Sequence, residues 1–316
     1  MLGQGLDSIR IERWIQFLDK NLPGNAVAIA EYLAAEKLEG RDYPIATMLF
    51  WQTWAKQDPK GALAYLREHE GNGGGSGIGN LMKAWVVFDP AGALDAFNNL
   101  GESPLSGSAL SGLAQGLAGS DPAGAVDFAT QLPNKLQAGV AAQISDFVVR
   151  ESKIEEAQAW FDGLPSGKQP LFQKEAVRVL LESMTRRSEP GAVEKFVTER
   201  LDQAWSARPT EQNFAASMIL RNGGSPWDYV SKVMEKYPRP EEPLALTAWV
   251  ANLNPQSAID WADANANHQA TDAILAGTAR TYLQQGKSEE AAALLDRIKD
   301  PALRDEAEAK QVVEKR

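Results

Sequence analysis

The chain contains no cysteine and only two histidines, His69 and His268, 199 positions apart. The first absence excludes disulfides, thiolate metal sites and cysteine nucleophiles, and leaves the redox compartment open. The second leaves too little imidazole for a histidine-rich metal site and restricts any histidine general base to those two positions. No apolar run approaches the roughly 20 residues that a membrane helix requires; the longest lies near Pro44 to Trp51. The opening stretch, MLGQGLDSIRIERW, lacks the basic-then-apolar pattern of a secretory signal. The expectation is a chain that is soluble as given, an exported mature form being compatible with the same sequence. A basic cluster is missing too: 32 Lys and Arg stand against 42 Asp and Glu, a formal charge of -10, with both signs scattered. A phosphate backbone or an anionic membrane surface demands a clustered basic face, so neither nucleic acid nor membrane insertion is expected.

What is present in unusual amount is glycine at one place, GNGGGSGIGN at 71 to 80. A phosphate-cradling loop would need G-x-G-x-x-G, yet from Gly71 the last position is Ser76 and from Gly73 it is Ile78. A P-loop would need Lys after Gly79, where Asn80 stands, and a nucleophile elbow around Ser76 would need Gly in place of Ile78. The reading left is a flexible loop, able to hinge, with Lys83 beyond it. There is also no H-E-x-x-H and no Asp-rich calcium loop, and no catalytic, metal or cofactor residue is assigned.

The organising feature is a repeat. DPKGALAYL at 58 to 66, DPAGALDAF at 89 to 97 and DPAGAVDFA at 121 to 129 are variants of one element, which continues as KIEEAQAWF, EPGAVEKFV, SPWDYVSKV, NPQSAIDWA and KSEEAAALL and is preceded by LPGNAVAIA. With the proline or its equivalent as marker, the positions are 23, 59, 90, 122, 154, 190, 226, 255 and 288, spaced by 36, 31, 32, 32, 36, 36, 29 and 33. A period near 33 is the signature of a helical solenoid. Asp58, Asp89, Asp121, Ser225 and Asn254 are good N-cap residues, and the proline after each suits the first helical position while forcing the preceding helix to stop. One dipeptide thus ends a helix A and starts a helix B. Three residues on, Ala26, Ala62, Ala93, Ala125, Ala157, Ala258 and Ala291 predict close approach of B to A; Val193 and Tyr229 replace them in two repeats.

Upstream of each marker lies a second apolar segment with helical spacing, such as IATMLFWQTWAKQ or EAVRVLLESMTRR. No stretch alternates with a period of two. The pattern predicts an all-α chain: a right-handed α-solenoid of about nine antiparallel helix pairs forming a single repeat domain over residues 1 to 316, with 301 to 316 as a C-terminal capping helix.

The last repeat, AILAGTARTYLQQGKSEEAAALLDRIKDP, resembles tetratricopeptide-like repeats through Ala279, Tyr282, Gly286 and Ala291, with Pro301 near the closing position. The Asp-Pro-x-Gly-Ala element is also similar to degenerate repeats of uncharacterised bacterial proteins. The resemblance implies a TPR-like superhelix that presents its A helices on a concave face to a protein or peptide.

The function expected on that basis is a noncatalytic binding scaffold. Trp51, Trp54 and Trp85 on A-type helices are candidate anchors, and Gln52, Lys56, Lys83, Arg178, Glu182 and Arg221 are candidate polar groove residues. Core packing for the indoles and a solvated surface for the polar side chains are the simpler readings of the same positions. An enzyme on an α/α toroid, using carboxylates that converge only in three dimensions, and a passive structural component of a larger assembly are the alternatives.

Overall fold

The computed structural model describes residues 8–35, 42–69, 74–164, 170–237 and 244–309. The inter-repeat stretches LEGRDYP, GLPSGKQP and YPRPEEP, the first part of the glycine run, the opening of the chain and residues 310–316 of the expected cap fall wholly or partly outside them. The described residues form nineteen α-helices and one 3-10 helix joined by turns, with no strand among them. The chain divides into two compact units, residues 1–151 and 152–316.

The first unit holds α1 (Ser8–Asn21), α2 (Ala26–Ala35), α3 (Asp42–Gln57), α4 (Pro59–Glu68), α5 (Gly74–Phe88), α6 (Pro90–Asn98), α7 (Ser106–Ser120), α8 (Pro122–Gln131) and α9 (Asn134–Glu151). The second holds α10 (Ile154–Asp162), α11 (Pro170–Arg187), α12 (Ala192–Thr198), α13 (Pro209–Arg221), α14 (Pro226–Lys236), α15 (Ala245–Leu253), α16 (Pro255–Ala264), α17 (Thr271–Gln284), α18 (Ser288–Leu295) and α19 (Pro301–Ala309). Odd-numbered helices up to α17 are the A helices and even-numbered ones the B helices, so nine pairs precede α19.

The A-to-B turns follow from side-chain chemistry. A single residue, Asp58, Asp89, Asp121 or Asn254, separates the two helices of its pair. Each carboxylate or amide oxygen accepts the backbone N–H of the third helical residue: Gly61 at 2.9 Å, Gly92 and Gly124 at 3.0 Å, Ser257 at 3.1 Å. Such a cap stabilises the helix by about 1 kcal/mol. In the three aspartate turns the third residue is glycine for a steric reason, because a Cβ there would overlap the capping carboxylate. Ser225 departs from the expectation. Its side chain makes no capping bond, and its own backbone N–H instead donates to Glu194 Oε2 at 3.2 Å.

The alanines three residues after the marker are fully buried in six of seven repeats, Ala26 being half-buried, and Val193 and Tyr229 occupy equally buried positions. In α3–α4, α5–α6, α7–α8, α11–α12, α13–α14, α15–α16 and α17–α18 the B helix thus presses a small or shape-matched side chain into its own pair. Successive A helices then pack on one another: α1, α3, α5, α7 and α9 in the first unit, and α11, α13, α15 and α17 in the second. Packing of A on A is what turns a 33-residue sequence period into a spatial one.

The closest of these contacts lies where the sequence suggested a loop. Residues 74–80 of the glycine run are the first two turns of α5, not a flexible connection, and Gly71 to Gly73 lie outside the described residues. A Cβ on Gly77 would meet Trp51 and Leu66 at 2.9 and 2.8 Å. One on Gly112 would overlap the Gly79 carbonyl, and one on Gly116 would fall 3.1 Å from Lys83 Cα. The glycines are there because α5 and its neighbours approach backbone to backbone.

In the second unit the C-terminal core gathers Leu275, Ala279, Leu294, Leu295, Ile298 and Ala307, with Tyr282 and Leu303 packed against it. Ala307 and Leu303 come from α19, whose Arg304, Asp305 and Glu308 are not buried, so the described part of the expected cap has one buried and one wet face.

Candidate functional site

Because A helices stack within each unit, equivalent positions of successive repeats become neighbours. In the first unit Lys83 Nζ on α5 lies 3.4 Å from Gln115 Oε1 on α7 and 5.1 Å from the centroid of the Phe147 ring on α9. These three residues are separated by 32 and 32 in sequence and stand at the same register, seven before the marker. Gln115 Nε2 donates to Ser111 Oγ at 3.2 Å, so a short polar chain fixes the amide that receives the lysine. In the second unit Arg178 on α11 is paired with Glu211 on α13 at 2.9 and 3.4 Å and lies over Phe214 at 5.1 Å. Thr281 on α17 donates to the Ala248 carbonyl of α15 at 3.0 Å, and Gln285 reaches Asn252 at 3.4 Å, each pair 33 residues apart.

The candidate residues separate clearly on burial. Trp51, Trp54 and Trp85 are 7, 4 and 1 % exposed. Trp51 and Trp54 stack with their ring centroids 5.5 Å apart, and Trp85 Nε1 donates to Asp89 Oδ2 at 3.2 Å. All three are core side chains, and their indoles are not offered to solvent as anchors. The reason is rotation: the stripe five residues before the marker, Trp54 and Trp85, points inward, and Trp51 lies one turn earlier on the same face. Gln52, Lys83 and Arg178 are half-buried, and Lys56, Glu182 and Arg221 are exposed. Of these, Lys83 and Arg178 are joined to neighbouring A helices by the contacts above. Lys83 belongs to the first compact unit and Arg178 to the second.

Outside the A-helix faces, other contacts are structural. The Arg200 guanidinium forks onto Asp162 at 2.7 and 2.8 Å and stacks 3.9 Å from the Phe196 ring centroid. That pairing holds the Asp162 carboxyl below its usual range, the hydrogen bond from Arg200 being the largest cause. Asp89 is lowered as well, first by the Gly92 N–H and then by the Trp85 indole. Burial raises the Glu194 carboxyl, against the opposing bond from Ser225. His69, the only histidine near Ser76 in sequence, bonds through Nδ1 to the Tyr65 carbonyl at 2.8 Å and stacks on the Tyr65 ring. His268 lies between α16 and α17, where Nδ1 accepts the Ala270 N–H at 3.2 Å and Nε2 stands 3.4 Å from Glu235. Among the described residues no group of three or more acidic or histidine side chains is placed to hold a metal ion, and no helix is long and apolar enough to cross a membrane.

One feature had no sequence signal beyond two turn positions. An open depression of about 880 Å³ lies in the first unit at the edge of the Leu22–Asn25 and Gln57–Asp58 turns, walled by Val27, Glu31 and Trp54.

No family model matches the chain, nor does any curated protein or solved structure.

Proposed function

We propose that the chain is a noncatalytic helical-repeat scaffold of the tetratricopeptide-like kind, holding a protein or peptide partner along its A helices. The observation that carries this reading is the lateral register of the A helices. Lys83, Gln115 and Phe147, from three successive repeats, share one surface within the first unit. A partner lying across the repeats would touch one helix after another at equivalent depth, which suits an extended segment better than a compact small molecule. The half-buried side chains in that row are already held by neighbours, so less side-chain freedom is lost on binding.

The test is a footprint. A photoreactive amino acid is introduced singly at Gln52 and Ser111, on A helices, and at Arg67 and Asp95, on B helices, and crosslinked in extracts of the source cell. Adducts are expected at the A-helix positions. A partner captured only from Arg67 and Asp95 refutes the reading.

A further inference from the structure

The face of the first unit has a chemistry narrower than a general scaffold. Helices α5 and α7 together contain 30 residues, and Lys83 is the only charged side chain among them. In a chain of net charge -10 that is an isolated cation on a neutral, serine- and glycine-rich surface. Lys83 is half-buried, its ammonium set between the Gln115 amide oxygen at 3.4 Å and the Phe147 ring at 5.1 Å. Neither neighbour carries a negative charge, and no carboxylate among the described residues is recorded within ion-pair distance of it. A lysine ammonium has three donors, so this one retains capacity for a carboxylate brought from outside.

One turn along α5, Val87 and Phe88 are 55 and 46 % exposed, two large apolar side chains side by side. At Val87's register position on the next A helix stands Gly119, also exposed. A Cβ on Gly119 would come within 3.2 Å of the Phe147 ring, so the ring packs against the α7 backbone there. A cation and an exposed apolar pair thus lie about one helical turn apart on α5.

We propose, building on the scaffold reading, that this α5–α7–α9 surface takes an extended peptide carrying an apolar side chain next to an acidic one. The apolar side chain packs on Val87 and Phe88, and the carboxylate meets Lys83.

The experiment is selection of a phage-displayed random dodecapeptide library on the full chain, followed by anisotropy measurements with the enriched peptides. Enrichment of apolar–acidic pairs is expected. Lys83→Gln should weaken an enriched peptide about tenfold or more, the loss of one charge-assisted hydrogen bond. Lys83→Glu should turn the selected pair to apolar–basic, and Val87→Asp should remove the apolar contact and abolish binding. Circular dichroism melts check that each variant folds; Lys83→Gln leaves Val87 and Phe88 untouched. No enrichment, enrichment of a different pattern, or the same pattern on Lys83→Glu overturns the proposal. Benzophenone-labelled selected peptides separate the two levels of inference. Adducts on other A helices overturn this site and leave the scaffold reading standing, whereas adducts confined to B helices overturn both.

Discussion

Gly112 on α7 faces Gly79 on α5 so closely that a methyl group on Gly112 would overlap the Gly79 carbonyl oxygen and lie 3.0 Å from its Cα. Glycine inside a helix ordinarily costs about 1 kcal/mol relative to alanine, so Gly→Ala at an open helical position stabilises. Gly139 on α9 is such a position, with nothing within 4 Å of a built Cβ. Gly139→Ala is therefore expected to raise stability by up to about 1 kcal/mol, and Gly112→Ala to lower it by about 1–3 kcal/mol, because backbone must separate from backbone. Urea denaturation of the two variants checks this. Equal gains in both would mean that α5 and α7 do not touch as described.

The Asp-Pro-x-Gly turn makes a second prediction, in which two substitutions must fail to add. In the wild type the Asp121 carboxylate caps the Gly124 N–H and occupies the space a Cβ would need. Asp121→Ala should cost about 1 kcal/mol, and Gly124→Ala should also destabilise by displacing the carboxylate. Once Asp121 is alanine, however, the same Gly124→Ala change meets no obstacle and should gain up to about 1 kcal/mol of helix propensity. Thermal melts of the four proteins close the cycle, and simple additivity would contradict the steric account of the recurring D-P-x-G spelling.

This local chemistry explains which parts of the molecule were legible in the sequence. Asp58, Asp89 and Asp121 announce their turns because cap, proline and glycine act over four residues. The buried alanines were legible because their spacing repeats. From the sequence the glycine run reads as a loop because glycine density is a local turn signal, whereas the reason for Gly79 lies on another helix, at Gly112, 33 residues on. Reading Gly77 and Gly79 together with Gly112 and Gly116 would have pointed to a helix crossing. Trp51, Trp54 and Trp85 could not be divided between core and groove, since that depends on how each A helix is rotated in its pair. The Lys83, Gln115 and Phe147 row was present in the register at 32-residue steps, but three different side chains gave no pattern of residue type.

Acidification tests the electrostatics of two turns. Asp89 and Asp162 both have carboxyl groups lowered from the ordinary value, Asp89 by the Gly92 N–H and the Trp85 indole, Asp162 by Arg200. When the folded pKa is depressed, the unfolded chain takes up the proton first. The stabilisation is then present above the unfolded value of about 3.9 and disappears as pH falls through the folded one. The melting temperature is expected to fall on acidification below about pH 4. Carboxyl-carbon NMR should place both groups below the usual aspartate range, and Trp85→Phe should move Asp89 upward. An Asp89 titration unchanged by that substitution would remove the indole bond from the account.

Arg178 carries the sharpest distinction between holding the fold and holding a partner. Its guanidinium spans from α11 to Glu211 on α13, and the Glu211 side chain is 1 % exposed while that of Arg178 is 35 % exposed. Removing the arginine leaves a carboxylate buried without its counter-charge, a larger penalty than the pair's own net contribution. Arg178→Ala is expected to cost about 2–3 kcal/mol, reduced from the fully buried case because water reaches one side of the pair. Glu211→Gln in the Arg178→Ala background should recover part of that loss, since a neutral amide is less costly to bury unpaired. If Arg178 serves the fold by balancing Glu211, partner affinity per folded molecule should change little in the double variant while denaturant stability changes much. A double variant as unstable as Arg178→Ala alone would show that the arginine acts through its packing on Phe214 and not through the Glu211 charge.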